Sequence, residues 1–306
     1  MNRFLCLGEC MVELAPTSDG LYRMGYAGDT FNCAWYARQL LGDDWTVQYG
    51  TVVGQDAASD GMLEYMENHG IDTSTIRRVP DRTVGLYSIQ LKNGERSFSY
   101  WRGEAAARLL ADDEAWLDSI LKDRQVIQFS GITLAILSPE KRQVLARALA
   151  RAREGGALVA FDTNLRPKLW ESEQAMRDGL VLGASVADVV LPSFDEEEAC
   201  FGDKTQADTI ARYREVGAKV IAVKNGKDTC HVWAEGVGES LVTPAVVTNV
   251  VDSTAAGDSF AGGFLVTLVQ GATAAEATKE ASELAAQVIQ RRGALAPDIF
   301  GKGHAT

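Results

Sequence analysis

Apolar residues along the chain recur at two spacings, and from residue 125 onward the two alternate. Valine-, isoleucine- and alanine-rich runs at 125–130, 157–162, 188–191 and 219–223 predict buried strands, while helical spacing predicts helices over 139–154 and 172–185. Strands and helices taking turns in this way build a mainly parallel sheet. Residues 4–8 read as one more buried strand, 47–53 as another, and 57–69 as a helix closed by Gly70. A helix opens at Ala27-Gly28-Asp29-Thr30-Phe31-Asn32 and runs to about Leu41, with Asp29 or Thr30 suited to cap it. Residues 11–14 and 21–26 read as strands around a turn at 16–20, outside the main sheet. Runs 84–91 and 96–101 alternate as strands do and are joined by Lys92-Asn93-Gly94-Glu95, where Asn-Gly is a strong hairpin signal. Toward the end, valine and threonine at 245–251 predict a strand end, a helix begins near Ala256, and 274–291 predicts a long amphipathic helix.

Parallel sheets collect ligands beyond the carboxyl ends of their strands. Polar groups stand there: residues 162–167 after one strand, 193–198 after the next, and Lys224-Asn225-Gly226-Lys227 after a third. The helix start near Ala256 adds an anion site, because its first amides lack intrahelical partners and carry the positive end of the helix dipole. Ala255, Ala256 and Gly257 leave those amides uncovered, and phosphate is the obvious anion. A carboxylate in the same turn, Asp258, would repel phosphate unless it has work of its own, and general base toward an attacking hydroxyl is the economical assignment. In the hairpin, Tyr87 and Tyr100, with Arg102 just beyond, can meet a ligand; an aromatic face packed between two copies of the chain fits the same pattern. Taken singly, Gly28-Asp29 and Gly257-Asp258 also fit ordinary helix starts.

Charge and composition narrow the choice. The net charge of −12 argues against nucleic acid or an anionic membrane as partner, so an anionic substrate must be held by local cations. Five cysteines without a CxxC spacing read as reduced thiols of a cytoplasmic protein, and the three histidines (His69, His231, His304) have no metal-binding spacing. No apolar run approaches the roughly 20 residues of a membrane span, and the N-terminus turns polar too soon for a signal peptide. Neither a P-loop nor a strand-linked G-x-G-x-x-G occurs, so a nucleotide must be held in another way.

The string Asp252-Ser253-Thr254-Ala255-Ala256-Gly257-Asp258-Ser259-Phe260-Ala261-Gly262-Gly263-Phe264 resembles the C-terminal signature of the ribokinase-like (PfkB) carbohydrate kinases, D-x-x-G-A-G-D, with Ala255 in place of the first glycine. Residues 27–32 resemble that family's N-terminal sugar-binding motif, and the likeness runs from Gly8 to about Pro297. It implies one domain over 1–306: an α/β fold, three-layer α/β/α with a mainly parallel sheet, plus a small β-sheet lid from about 11–26 and 83–102. It also implies ATP and Mg2+ and, in some members, a monovalent cation, while the aromatic strand pair itself points to self-association through the lid strands.

By the same resemblance Asp258 is the base, and Ala255, Ala256, Gly257 and Arg166 stabilise the transferred phosphoryl group. Gly28, Asp29 and Asn32 meet the sugar; Asn164, Arg166, Ser193, Lys224, Asn225 and Gly226 line the nucleotide side. The family's N-x-x-E, whose Glu orients water on magnesium, falls on Ser193 and Glu196, so the carry-over covers Glu196. The runs Gly-Glu-Cys-Met-Val-Glu-Leu, Leu-Pro-Ser-Phe-Asp and Val-Ile-Gln-Arg-Arg-Gly-Ala look like the subgroup acting on 2-keto-3-deoxygluconate. An acid sugar asks for a cation, which Arg102 beside Tyr87 and Tyr100 can supply, with Arg166 the second candidate. A kinase for an epimeric acid sugar, for fructose or for ribose, and a non-catalytic sugar sensor on the same fold, stand as alternatives.

Overall fold

Eight strands cross the middle of the molecule in the order Gly238–Val242, Cys230–Ala234, Val220–Val223, Val189–Val190, Leu158–Asp162, Val126–Ser130, Asn2–Leu7 and Trp45–Gly50. This computed structural model describes residues 1–301 apart from Ser18, Asn93 and Gly94, and counts refer to the described residues. Pairing is parallel from Trp45–Gly50 through Val220–Val223, and the last two strands close that edge as an antiparallel hairpin.

The period of two seen in the strands sorts the core into two layers. Leu5, Leu7, Ile127, Phe129, Val159 and Phe161 join the cluster beneath helices Glu114–Leu121, Pro139–Glu154, Glu173–Ser185 and Gln206–Glu215. Phe4, Cys6, Val126 and Ala160 face the opposite cluster, under helices Asp29–Leu40, Ala57–Asn68, Ala256–Val269 and Ala274–Val288. None of the described helices is long and apolar enough to cross a membrane.

Asn2–Leu7 lies between Trp45–Gly50 and Val126–Ser130, so the winding reverses direction there. A crevice opens at such a switch point, at the carboxyl ends of the strands. Over it stands a second sheet, in the order Tyr22–Ala27, Met11–Pro16, Gly85–Lys92 and Glu95–Trp101. Its hairpin register sets Tyr87 opposite Tyr100 and Lys92 opposite Glu95. The predicted Asn93-Gly94 turn and His304 lie outside the described residues.

Three expectations are corrected. Residues 245–251 form no strand, and Val246 and Val250 are exposed; Val251 and Asp252 instead donate their amides to the Ile289 carbonyl at the end of helix Ala274–Val288. The predicted run 47–53 divides into Trp45–Gly50 and a short Val52–Val53 that pairs with Arg77–Arg78. Helix Asp29–Leu40 is capped by Gly28, not by Asp29 or Thr30, which already lie in its first turn.

Candidate active site

Helix Ala256–Val269 starts at the crevice without a side-chain cap, and its N-cap, Ala255, takes the left-handed conformation (φ 60°, ψ 17°) that glycine adopts most easily. Its small residues serve close packing as well. A methyl on Gly262 would lie 2.9 Å from the Cys33 carbonyl oxygen, so the helix presses directly on Asp29–Leu40. That contact brings Asn32 to Asp258, whose Oδ2 accepts a 2.7 Å hydrogen bond from Asn32 Nδ2. Burial first, and then the charges of Asp29 and Asp162, push the Asp258 carboxyl up to about 7, against the pull of Asn32 and Arg166. Such a carboxylate is a better proton acceptor than an ordinary aspartate.

Gly28 is extended (φ −178°), a conformation open to any residue; what requires glycine is the Glu9 carbonyl oxygen, 2.2 Å from where a Cβ would stand. Asp29 Oδ2 accepts from Asn164 Nδ2 at 2.9 Å, and burial raises its carboxyl despite the Ser130 hydroxyl beside it. Asn164 is one of three non-glycine residues with positive φ among those described, and it carries the loop that follows Leu158–Asp162.

On the other side of the helix start, Lys224 Nζ bonds Asp162 Oδ1 at 3.0 Å and would lie 3.6 Å from a methyl placed on Gly257. Ser193 bridges to Lys224 through the backbone and caps helix Phe194–Phe201 without a side-chain bond. Asn225 and Gly226 form the turn beyond, with Gly226 exposed and left-handed (φ 56°). Glu196 accepts from the Leu165 amide at 3.1 Å and from Arg166 Nη1 at 3.3 Å, and burial raises its carboxyl. Arg166 is half exposed, reaching over the crevice. Among the described residues no three His, Cys, Asp or Glu side chains converge into a metal cage. Magnesium needs no such cage, since it keeps its waters and binds largely through phosphate oxygens.

The second sheet contributes Tyr87, Phe98 and Tyr100 as one aromatic face, with the Tyr87 and Tyr100 centroids 5.8 Å apart. The Tyr87 hydroxyl donates to Glu13, and that negative charge together with burial holds the phenol protonated. Arg102, expected to meet an acid sugar, donates to Glu9, a fully buried carboxylate just past the end of Asn2–Leu7. Glu9 Oε1 and Arg102 Nε have no hydrogen-bond partner among the described residues. The Arg102 guanidinium also lies 5.8 Å from the Tyr100 ring centre.

The crevice therefore gathers Gly28, Asp29, Asn32, Asn164, Arg166, Glu196, Lys224 and the 255–258 turn, with Asn225 and Gly226 at its rim. Sequence reasoning gave no individual role to Glu9, Glu13, Ser130 or Asp162, the last named only as the start of the polar run 162–167. Position offered a signal for two of them, since Glu9 and Asp162 are acidic residues at or just past the carboxyl ends of buried strands.

Residues 1–299 match the family model described as pfkB family carbohydrate kinase. The chain is 40% identical over 304 residues to the 2-dehydro-3-deoxygluconokinase of Escherichia coli K12, covering 97% of each. A PfkB protein from Polaromonas sp. JS666 superposes with a TM-score of 0.83 at 26% identity, covering 99% of this chain and 100% of that one. A fructokinase from Xylella fastidiosa with bound ATP gives a TM-score of 0.82 at 26% identity, covering 95% of this chain and 93% of that one.

Proposed function

The chain belongs to the pfkB family of carbohydrate kinases, and from that premise we propose that it phosphorylates the primary hydroxyl of 2-keto-3-deoxy-D-gluconate (2-dehydro-3-deoxygluconate) with ATP. The observation that carries the chemistry is Asp258, set in the uncapped first turn of Ala256–Val269 and oriented by Asn32. Asn32 occupies Oδ2, leaving the other carboxylate oxygen for the hydroxyl proton. The sugar oxygen attacks the γ-phosphorus in line, the bond to the bridging oxygen breaks, ADP leaves, and Asp258 takes the proton as the new bond forms. An alcohol is a far weaker acid than a carboxylic acid, so the transfer runs late, and the raised carboxyl narrows the gap.

Charge on the phosphoryl oxygens is met by the amides of residues 255–258, by the Lys224 ammonium beside Gly257, and by Arg166. Magnesium, when bound near Glu196, neutralises part of the same charge. Asp29 and Asn32 take sugar hydroxyls, and Gly28 keeps that turn tight. Tyr87 and Tyr100 form the wall against which the sugar lies, and Arg102 meets its carboxylate with the guanidinium edge that Glu9 leaves free. The second sheet acts as a lid on a single kinase domain. Its exposed Tyr22, Met24 and Trp101 suit pairing of two copies, and the reading places the enzyme in the cytoplasm, where ATP is supplied.

One observation favours a second reading. Arg102 already has its charge matched by Glu9, as a kinase of a neutral ketose would tolerate. A panel of 2-keto-3-deoxygluconate, its galactonate epimer, fructose and ribose, with ADP release as readout, separates the two. Turnover of the gluconate acid that vanishes in Asp258→Asn supports the proposal. Turnover of fructose without either acid, or an unchanged rate in Asp258→Asn, sinks it.

A further inference from the structure

Asp162 ends Leu158–Asp162 and Lys224 directly follows Val220–Val223, two strands separated in the sheet by Val189–Val190, so both stand at the carboxyl edge. Asp162 is 6% exposed and Lys224 13%, with 3.0 Å between Nζ and Oδ1. On its other side the amine abuts the first turn of Ala256–Val269, where a methyl on Gly257 would stand 3.6 Å away, and it lies 5.9 Å from the Phe260 ring centre. A lysine stem has four rotatable bonds and its ammonium is strongly hydrated, so without a fixed partner it would swing out to water. Here it is held against amides that no side chain caps.

We propose that Asp162 is a positioning residue for phosphoryl transfer. It holds the Lys224 ammonium over the start of Ala256–Val269 before the nucleotide arrives, so that the phosphate chain meets a cation already in place. This rests on the reading that the nucleotide phosphates lie at that helix start. Preorganisation matters because the cation then needs no rearrangement when charge develops. An ion pair made only for packing would lend stability to the fold and nothing to the nucleotide.

The test is a double-mutant cycle on the full chain: wild type, Asp162→Asn, Lys224→Met and the double variant. Thermal melts verify folding, calorimetry measures ADP affinity, and steady-state rates are taken with 2-keto-3-deoxygluconate. Asp162→Asn is expected to weaken ADP about tenfold and to lower kcat roughly 10²-fold, with KM for the sugar acid within about twofold. The double variant is expected to be no worse than Lys224→Met alone, because Asp162 acts through that amine. Additive losses, or ADP affinity and kcat unchanged in Asp162→Asn, overturn the assignment. Should Asp162→Asn fail to fold, Asp162→Glu carries the same cycle, with the charge kept and displaced by one methylene. A wild-type chain that turns over none of the sugar acids would refute the substrate reading, while ADP binding across the four proteins would still decide Asp162.

Discussion

Replacing Arg102 with alanine strikes the joint between the two sheets. Glu9, on the main-sheet side, has a side chain with no exposure, and Arg102 is 10% exposed. Deleting the guanidinium leaves a carboxylate buried without its counter-charge, a loss of about 3–5 kcal/mol. Glu9 can escape by taking a proton. Burial already raises its carboxyl above 4.5, and Arg102 is the main influence holding it down, so the variant raises it further. A carboxyl raised in the folded state binds its proton more tightly there than in the unfolded chain, so stability increases as pH falls through the folded value. The deficit of Arg102→Ala is therefore greatest in alkali and shrinks as pH drops toward 4.5, where the unfolded chain also protonates. Urea denaturation at about pH 8 and about pH 5.5 reads this directly, with Glu9→Gln added to restore most of the loss. A deficit equal at both pH values and not relieved by Glu9→Gln would refute the buried pair. On the functional side, Arg102→Ala is expected to raise KM for the keto acid sharply and to spare ATP; equal losses for both would remove Arg102 from the sugar site.

With Asp258 pushed up to about 7, kcat/KM is expected to fall about tenfold per pH unit below that value, because the protonated acid cannot accept the sugar proton; a flat profile down to about pH 5 contradicts its role as base. Gly28→Ala drives a methyl to 2.2 Å from the Glu9 carbonyl oxygen, and displacing that strand end should cost about 1–3 kcal/mol and raise the sugar KM, as melts and steady-state rates would reveal. Ala255→Gly relieves a left-handed alanine worth about 1–2 kcal/mol, offset by about 0.4–1 kcal/mol of added chain entropy when unfolded. Melting is expected to hold or rise slightly with activity kept, and a clear fall would show that the φ of 60° carries no strain.

The alternation from residue 125 onward was legible because each buried strand is a short apolar run and each helix shows its own spacing. The helix start at Ala256 was legible for a similar reason: small residues and an acid together are a local signal. Residues 245–251 misled because valine and threonine report fitness for a pleated surface, whereas the backbone partner that Val251 finds is the Ile289 carbonyl at a helix end. Pairings across the chain were beyond reach. Glu9 meets Arg102, Asp162 meets Lys224 and Asn32 meets Asp258 only after the sheet order is set, and no spacing in the chain encodes that order. The reading of Arg102 as the cation for an acid sugar missed its Glu9 partner for this reason.

The antiparallel hairpin at the sheet edge fixes where the last quarter of the chain is delivered. Val220–Val223 leaves its end, with Lys224, at the crevice; Cys230–Ala234 carries the chain away and Gly238–Val242 returns it. An even number of added strands restores the edge of departure, whereas a single one would release the chain on the far rim, roughly 16 Å away for five residues. Gly257 comes to lie beside Lys224 across the intervening sequence by this parity. Growth of that edge is therefore quantised in hairpins: a pair of strands can be gained there without moving the helix start, and one strand cannot.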